Sequence, residues 1–218
     1  MNIDSLTLNT HAIDGLHAFY VEKWGFPLLE KSDERLTIRI GASTLTFVLD
    51  VTRQWCYHFA FNILPHHLAQ AEIWLQSRTD LITYNDNPII EQSPLWEATS
   101  LYYRDPAGNI GELIARRRLA DNGASNFDVT QIQNVSEIGI PSDDVLSLVA
   151  QYNALGIPSF GSGSDMFSAV GDDNGLVIVV KWGRIWFPNT GIPADCLPVV
   201  VIIDGKNIFD QIDDSNRA

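Results

Sequence analysis

Side chains able to do chemistry are sparse in this chain of 218 residues and can be taken in clusters. His66 and His67 adjoin each other ahead of an apolar stripe. Neighbouring residues on a helix point in different directions, so the pair reads as a surface helix start rather than a metal site. Ser162 lies in Gly161-Ser-Gly-Ser164, but no strand–turn–helix context makes it a nucleophile elbow, and no G-K-[ST] follows to make a phosphate loop; the run reads as a hairpin loop. Cys56 and Cys196 form no C-x-x-C and are read as free buried thiols. Arg116-Arg117-Arg118 ends an apolar run and reads as a solvated strand end, with a cationic rim for an anionic substrate as the alternative. Asp210, Asp213 and Asp214 read as an acidic tail.

The elements that must position such residues recur in one order: strand, amphipathic helix, three strands. The first segment, about residues 3–50, opens with an alternating run in which Leu6 and Leu8 face inward. Leu16, Phe19, Tyr20 and Trp24 then fall on one helical stripe, stopped by Gly25-Phe-Pro27, and short strands are expected at 28–29, 36–40 and 44–49. The second, about 55–118, opens with a strand at 57–63 and carries Leu68, Ala71 and Leu75 as its stripe. A strand at 81–84, a polar loop and a hairpin around Asp105-Pro-Ala-Gly108 follow. The third, about 130–205, opens at 133–140, with Ser142 as helix cap and Val145, Leu148, Val149, Tyr152 and Leu155 as its stripe. Strands at 157–161, 166–170, 175–181 and an extra one at 197–203 complete it. Residues 119–129 read as a linker and 206–218 as a tail.

Composition narrows the function. Fourteen basic against 27 acidic residues give a net charge of −13, which lacks the electrostatic footprint of a nucleic-acid binder and the basic patch of an anionic-membrane binder. Apolar residues make up 45%, against intrinsic disorder. The apolar runs fall far short of the roughly 20 residues a membrane helix needs. The opening MNIDSLTLNTHAID has neither a basic nor an apolar leader region, and the expected location is the cytoplasm.

Phe19-Tyr20, Gly25-Phe-Pro-Leu28 and Asp105-Pro-Ala-Gly-Asn-Ile-Gly-Glu-Leu113, set in tandem βαβββ units, resemble the vicinal oxygen chelate superfamily of glyoxalases, extradiol ring-cleaving dioxygenases, fosfomycin-resistance enzymes and bleomycin-binding proteins. The resemblance implies an α+β fold: two βαβββ modules paired into a cup-shaped sheet over residues 1–118, plus a third, diverged module at 130–205. It implies a divalent metal in the cup, held from the first and last strands of each module. Those positions fall on His58 and Glu112 in the second segment, on Ser5 and Thr46 in the first, and on Glu137 and about Val179 in the third. His58 and Glu112 are suitable ligands for Fe, Zn, Mn or Ni; in the alternative they are a polar pair lining a metal-free pocket. They are expected within a few ångströms of each other. Ser5, Thr46, Trp96, Tyr102 and Tyr103 are the candidate substrate contacts, and strand alternation lets only one of the two tyrosines face the cup. With Trp182 and Trp186, these aromatics suit a planar apolar ligand. The resemblance thus implies a metal-dependent lyase or dioxygenase acting on vicinal oxygens of a small molecule, or a metal-free binding protein of the bleomycin-resistance type. A third reading is a structural dimeric module with a degenerate cup. Segment three has no partner in this scheme, which predicts a homodimer through it unless the extra strand covers its edge.

Overall fold

In the computed structural model, residues 1–119 and 126–211 are described. Part of the expected linker, 120–125, and the end of the expected tail, 212–218 with Asp213 and Asp214, lie outside them. Module one runs β1 (Ile3–Thr10), α1 (Ile13–Leu16) continuing as a π-helical stretch (His17–Lys23), β2 (Leu28–Lys31), β3 (Arg35–Ile40) and β4 (Ser43–Leu49). Module two runs β5 (His58–Ile63), a 3-10 turn (Pro65–His67), α2 (Leu68–Gln76), β6 (Leu81–Ile82), β7 (Ile90–Glu91), β8 (Ala98–Arg104) and β9 (Ile110–Arg116). Module three comprises β10 (Asn134–Ser142), α3 (Val145–Ala154), β11 (Phe167–Asp172) and β12 (Gly175–Lys181); a hairpin, β13 (Val199–Ile203) and β14 (Lys206–Gln211), follows.

The modules pair differently from the expectation. One sheet has the order β14-β13-β1-β4-β3-β2, the other β11-β12-β10-β5-β9-β8-β6 with β7 on β8. Module two therefore shares its sheet with module three, through the antiparallel pair β5–β10, and not with module one. Module one is closed instead by β13, which pairs antiparallel with β1. Segment three thus has a partner within the chain, with β5 beside β10, while its β11 forms one edge of that sheet. All three first strands resemble one another, and pattern alone carries no information about which two will join.

Smaller departures have local causes. Residues 157–161 contribute an isolated bridge, Ser159 to Val170, rather than a strand. Asp144, not Ser142, caps α3: its carboxylate accepts from Ser147 N at 3.0 Å, while Ser142 Oγ accepts from Asp144 N at 3.1 Å. The first part of the expected tail, Lys206–Gln211 and so Asp210 with it, is β14. His67 is buried against Phe127, at a ring distance of 5.5 Å, rather than at the surface.

The predicted helical stripe of module one is core: Leu16, Phe19, Tyr20 and Trp24 are all buried. They join Leu6, Phe47, Phe61, Leu113, Val135 and Tyr152 in a single apolar cluster shared by both sheets and all three helices. The Asp105 turn locks module two to this core. Its carboxylate accepts from Ala107 N at 2.9 Å, Asn109 N at 3.0 Å, Asn109 Nδ2 at 2.8 Å and Tyr20 Oη at 3.1 Å, and Asn109 Oδ1 accepts from Tyr57 N at 2.9 Å. The turn thus fixes where β9 starts relative to β5.

Candidate metal centre

β9 alternates between two environments. Leu113 and Ala115 face the core, whereas Ile110, Glu112, Ile114 and Arg116 face the other side of the sheet, and every one is buried. Cross-strand register places Tyr102, Glu112, Ala60, Glu137 and Leu176 in one row across β8, β9, β5, β10 and β12. Ala60 is the small residue between two carboxylates, so they lean toward each other over it. His58 lies two residues along β5 on the same face.

The outcome is a compact buried cluster. His58 Nε2 is 3.6 Å from Glu112 Oε2 and 4.0 Å from Glu137 Oε2, and one ligand atom from each of the three lies within 4.8 Å of the others. The expected approach of His58 and Glu112 is therefore present. Glu137 joins them through a bulge: β10 skips a register step between Val135 and Glu137, so Ser136 and Glu137 both meet the Arg116 guanidinium. Arg116 is fully buried and ion-paired with Glu137, which corrects its reading as a solvated strand end. Its neighbours do serve the surface, Arg117 pairing with Glu91 and Arg118 with Glu97 and Asp173.

Surrounding groups set the protonation. His58 Nδ1 is 3.2 Å from the Ile110 carbonyl, which can only accept, so Nδ1 carries the proton and Nε2 offers a lone pair to the carboxylates. Burial pulls the His58 pKa down to about 4, partly opposed by that hydrogen bond. Burial drives the Glu112 pKa well above the carboxylate range, and the Glu137 charge pushes it further. Hydrogen bonds from Ser100 and Tyr102 and the charge of Arg116 oppose the rise. Gln92 Nε2 donates to Ser100 Oγ at 2.9 Å and to Tyr102 Oη at 3.0 Å, which leaves both hydroxyl protons for Glu112. Glu137 is also raised by burial, with Arg116 opposing. A neutral imidazole lone pair facing two buried carboxylates requires a shared proton or a cation. Separations of 3.6 and 4.0 Å exceed a hydrogen bond. They are close to the roughly 3.0–3.4 Å between neighbouring ligands of an ion bound at ~2.1 Å.

No protein-family model matches the sequence, and no curated protein does. Among solved structures, a candidate dioxygenase from Bacillus subtilis superposes with a TM-score of 0.63 at 15% identity, covering 92% of this chain and 69% of that one. A glyoxalase I variant from Zea mays gives 0.58 at 16%, covering 91% and 73%. The chain has the vicinal oxygen chelate fold. Within that fold, Ala60 pairs with Glu112 as Gly139 pairs with Ile178, so the last-strand position of module three is Ile178, one residue from the expected Val179. The corresponding first- and last-strand positions of modules two and three therefore hold His58, Glu112, Glu137 and Ile178.

A cavity of about 320 Å³ opens over the cluster. Trp96 and Tyr102, two of the candidate contacts, line it. Tyr103 does not: it faces the core, its hydroxyl 3.4 Å from that of Tyr20. Ser5 and Thr46 do not either, since they lie on β1 and β4 of the other sheet, where Thr46 Oγ1 is 3.2 Å from Thr37 Oγ1. Trp186 stands over His58, at a ring distance of 5.3 Å, whereas Trp182 is exposed and outside this cavity. Cys56 is a free thiol, and burial lifts its pKa to about 11, which leaves it unreactive; Cys196 Sγ lies 3.5 Å from the Pro141 carbonyl oxygen. No helix among the described residues is long and apolar enough to cross a membrane.

Proposed function

We propose that this protein binds one divalent metal on His58 Nε2, Glu112 and Glu137 and acts as a metal-dependent enzyme of the glyoxalase or dioxygenase type on a small molecule. The observation that carries the reading is the lone pair of His58 Nε2 set between two buried carboxylates at 3.6 and 4.0 Å. Two carboxylates and one imidazole suit Fe, Mn, Zn or Ni and match a three-ligand catalytic site with open positions. A bound ion would supply Lewis acidity toward vicinal substrate oxygens. The chain's own residues do the rest. The Ile110 carbonyl fixes the imidazole tautomer. Arg116 holds one oxygen of Glu137 and leaves the other facing His58. Ser100 and Tyr102 orient Glu112.

Ile178 at the fourth position favours a second reading, a metal-free binding protein in which Glu112 keeps its proton. Metal analysis of protein purified without a metal-affinity tag separates the two. About one ion per chain is expected, lost in His58→Ala, with the melting temperature of wild type falling on chelation and that of the variant indifferent to it. Metal-free wild type that takes up no ion on titration would leave only the binding reading.

A further inference from the structure

The carboxylates around the cavity are each engaged. Glu91 accepts from Thr99 Oγ1 at 2.8 Å and pairs with Arg117, Glu137 pairs with Arg116, and Glu112 is held by hydroxyls. Arg184 is the exception among the lining charges. It is half-buried, its guanidinium lies 5.3 Å from the centre of the Phe167 ring, and among the described residues it has no carboxylate or side-chain hydrogen-bond partner. Burial alone lowers its pKa, with no neighbouring anion opposing. A partly desolvated guanidinium fork with no carboxylate beside it can take a planar anion in place of water.

Its position is built, not incidental. Gly183 N donates to Ala194 O at 2.8 Å, Ala194 N to Arg184 O at 2.8 Å, and Trp186 N to Ile192 O at 2.9 Å, so the segment after β12 is pinned as an antiparallel pair. Alternation then turns Arg184 and Trp186 to one side, and both line the cavity. The cavity thus presents aromatic faces, a cluster of potential ligands at one end and a lone cation on the β12–β13 connection.

We propose that Arg184 is a specificity-determining residue that anchors the carboxylate of an aromatic or planar substrate, so that the substrate class of this site is a small aromatic carboxylate. A volume of about 320 Å³ is at the small end for ligand cavities and fits one or two fused rings. The proposal rests on the cavity being the ligand site, but not on the ion.

The test is calorimetric titration of 2-naphthoate against its neutral isostere 2-naphthamide, on wild type and Arg184→Gln, each in metal-loaded and chelated form. Wild type should bind the carboxylate at least ~10-fold more tightly than the amide in both metal states. Arg184→Gln should reduce that preference below about threefold and leave amide binding unchanged, and Arg184→Lys should restore part of it. Equal binding of the two probes, binding of neither, or a preference that survives Arg184→Gln would overturn the proposal. A preference that survives the variant but vanishes on chelation belongs to the ion, which overturns Arg184 while supporting the metal reading. A preference that needs Arg184 in protein that binds no ion does the converse.

Discussion

Glu112 and His58 pull the pH dependence of stability in opposite directions, and the signs follow from where each proton prefers to sit. The His58 pKa falls to about 4 in the folded protein, so between there and its ordinary value near 6.5 the unfolded chain binds more protons and stability rises with pH. Glu112 is raised, so above the ordinary carboxylate range the folded chain holds the extra proton and stability falls with pH until Glu112 ionises. Above pH 6.5 the histidine contribution is complete and the carboxyl contribution remains. Metal-free protein should therefore lose stability as pH rises from about 6.5 until Glu112 ionises, and Glu112→Gln should flatten that decline. Urea denaturation at a series of pH values reads this directly, and a slope unchanged in the variant would contradict the assignment. At this scale His58 and Glu112 were legible because motif positions mark them. Arg116 was not, because a run of three arginines gives no sign that the first is buried. Arg184 carried no sequence signal at all, since a missing partner can be seen only in three dimensions.

At the scale of elements, the site is set by the hydrogen-bond ladder. Neighbouring strands lie ~4.8 Å apart; Glu112 and Glu137 are two strands apart with Ala60 between, and their side chains close the gap. The bulge in β10 adds the turn that aims Glu137 inward, and alternation patterns read from sequence do not reveal a bulge. Gly139, next along β10 on this face, has a second role: a Cβ there would collide with the Trp186 ring. Gly139→Ala should push Trp186 away from His58, change tryptophan emission and lower stability by about 1–3 kcal/mol, the usual range for overpacking. Unchanged emission with unchanged stability would show that the ring does not rest on this strand. Strand and helix positions in modules one and two were largely readable from periodicity and from the Asp105 turn. Module three was read less well, because residues 157–161 have apolar content without a partner strand to make them extended.

The molecule as a whole departs most from its sequence reading. Three similar first strands allow several pairings, and the one adopted, module two with three and module one with the closing hairpin, depends on contacts between segments far apart in the chain. β1 meets β13 near opposite ends of the described residues, backed on its outer side only by β14, whereas β5 is flanked by β9 and β10 in the middle of its sheet. Long closures cost entropy, and peripheral strands open at lower free energy. Native-state hydrogen exchange should show β13 amides opening at least ~2 kcal/mol below those of β5; equal protection would mean that both sheets open only together.

The order of those strands has a consequence for synthesis. His58, Glu112, Glu137 and Arg184 all precede Val199, where β13 begins. Every strand of the sheet that carries the ligand cluster is therefore synthesised before the strand that seals the first sheet, so the second sheet has its full set of strands while the first still lacks its own.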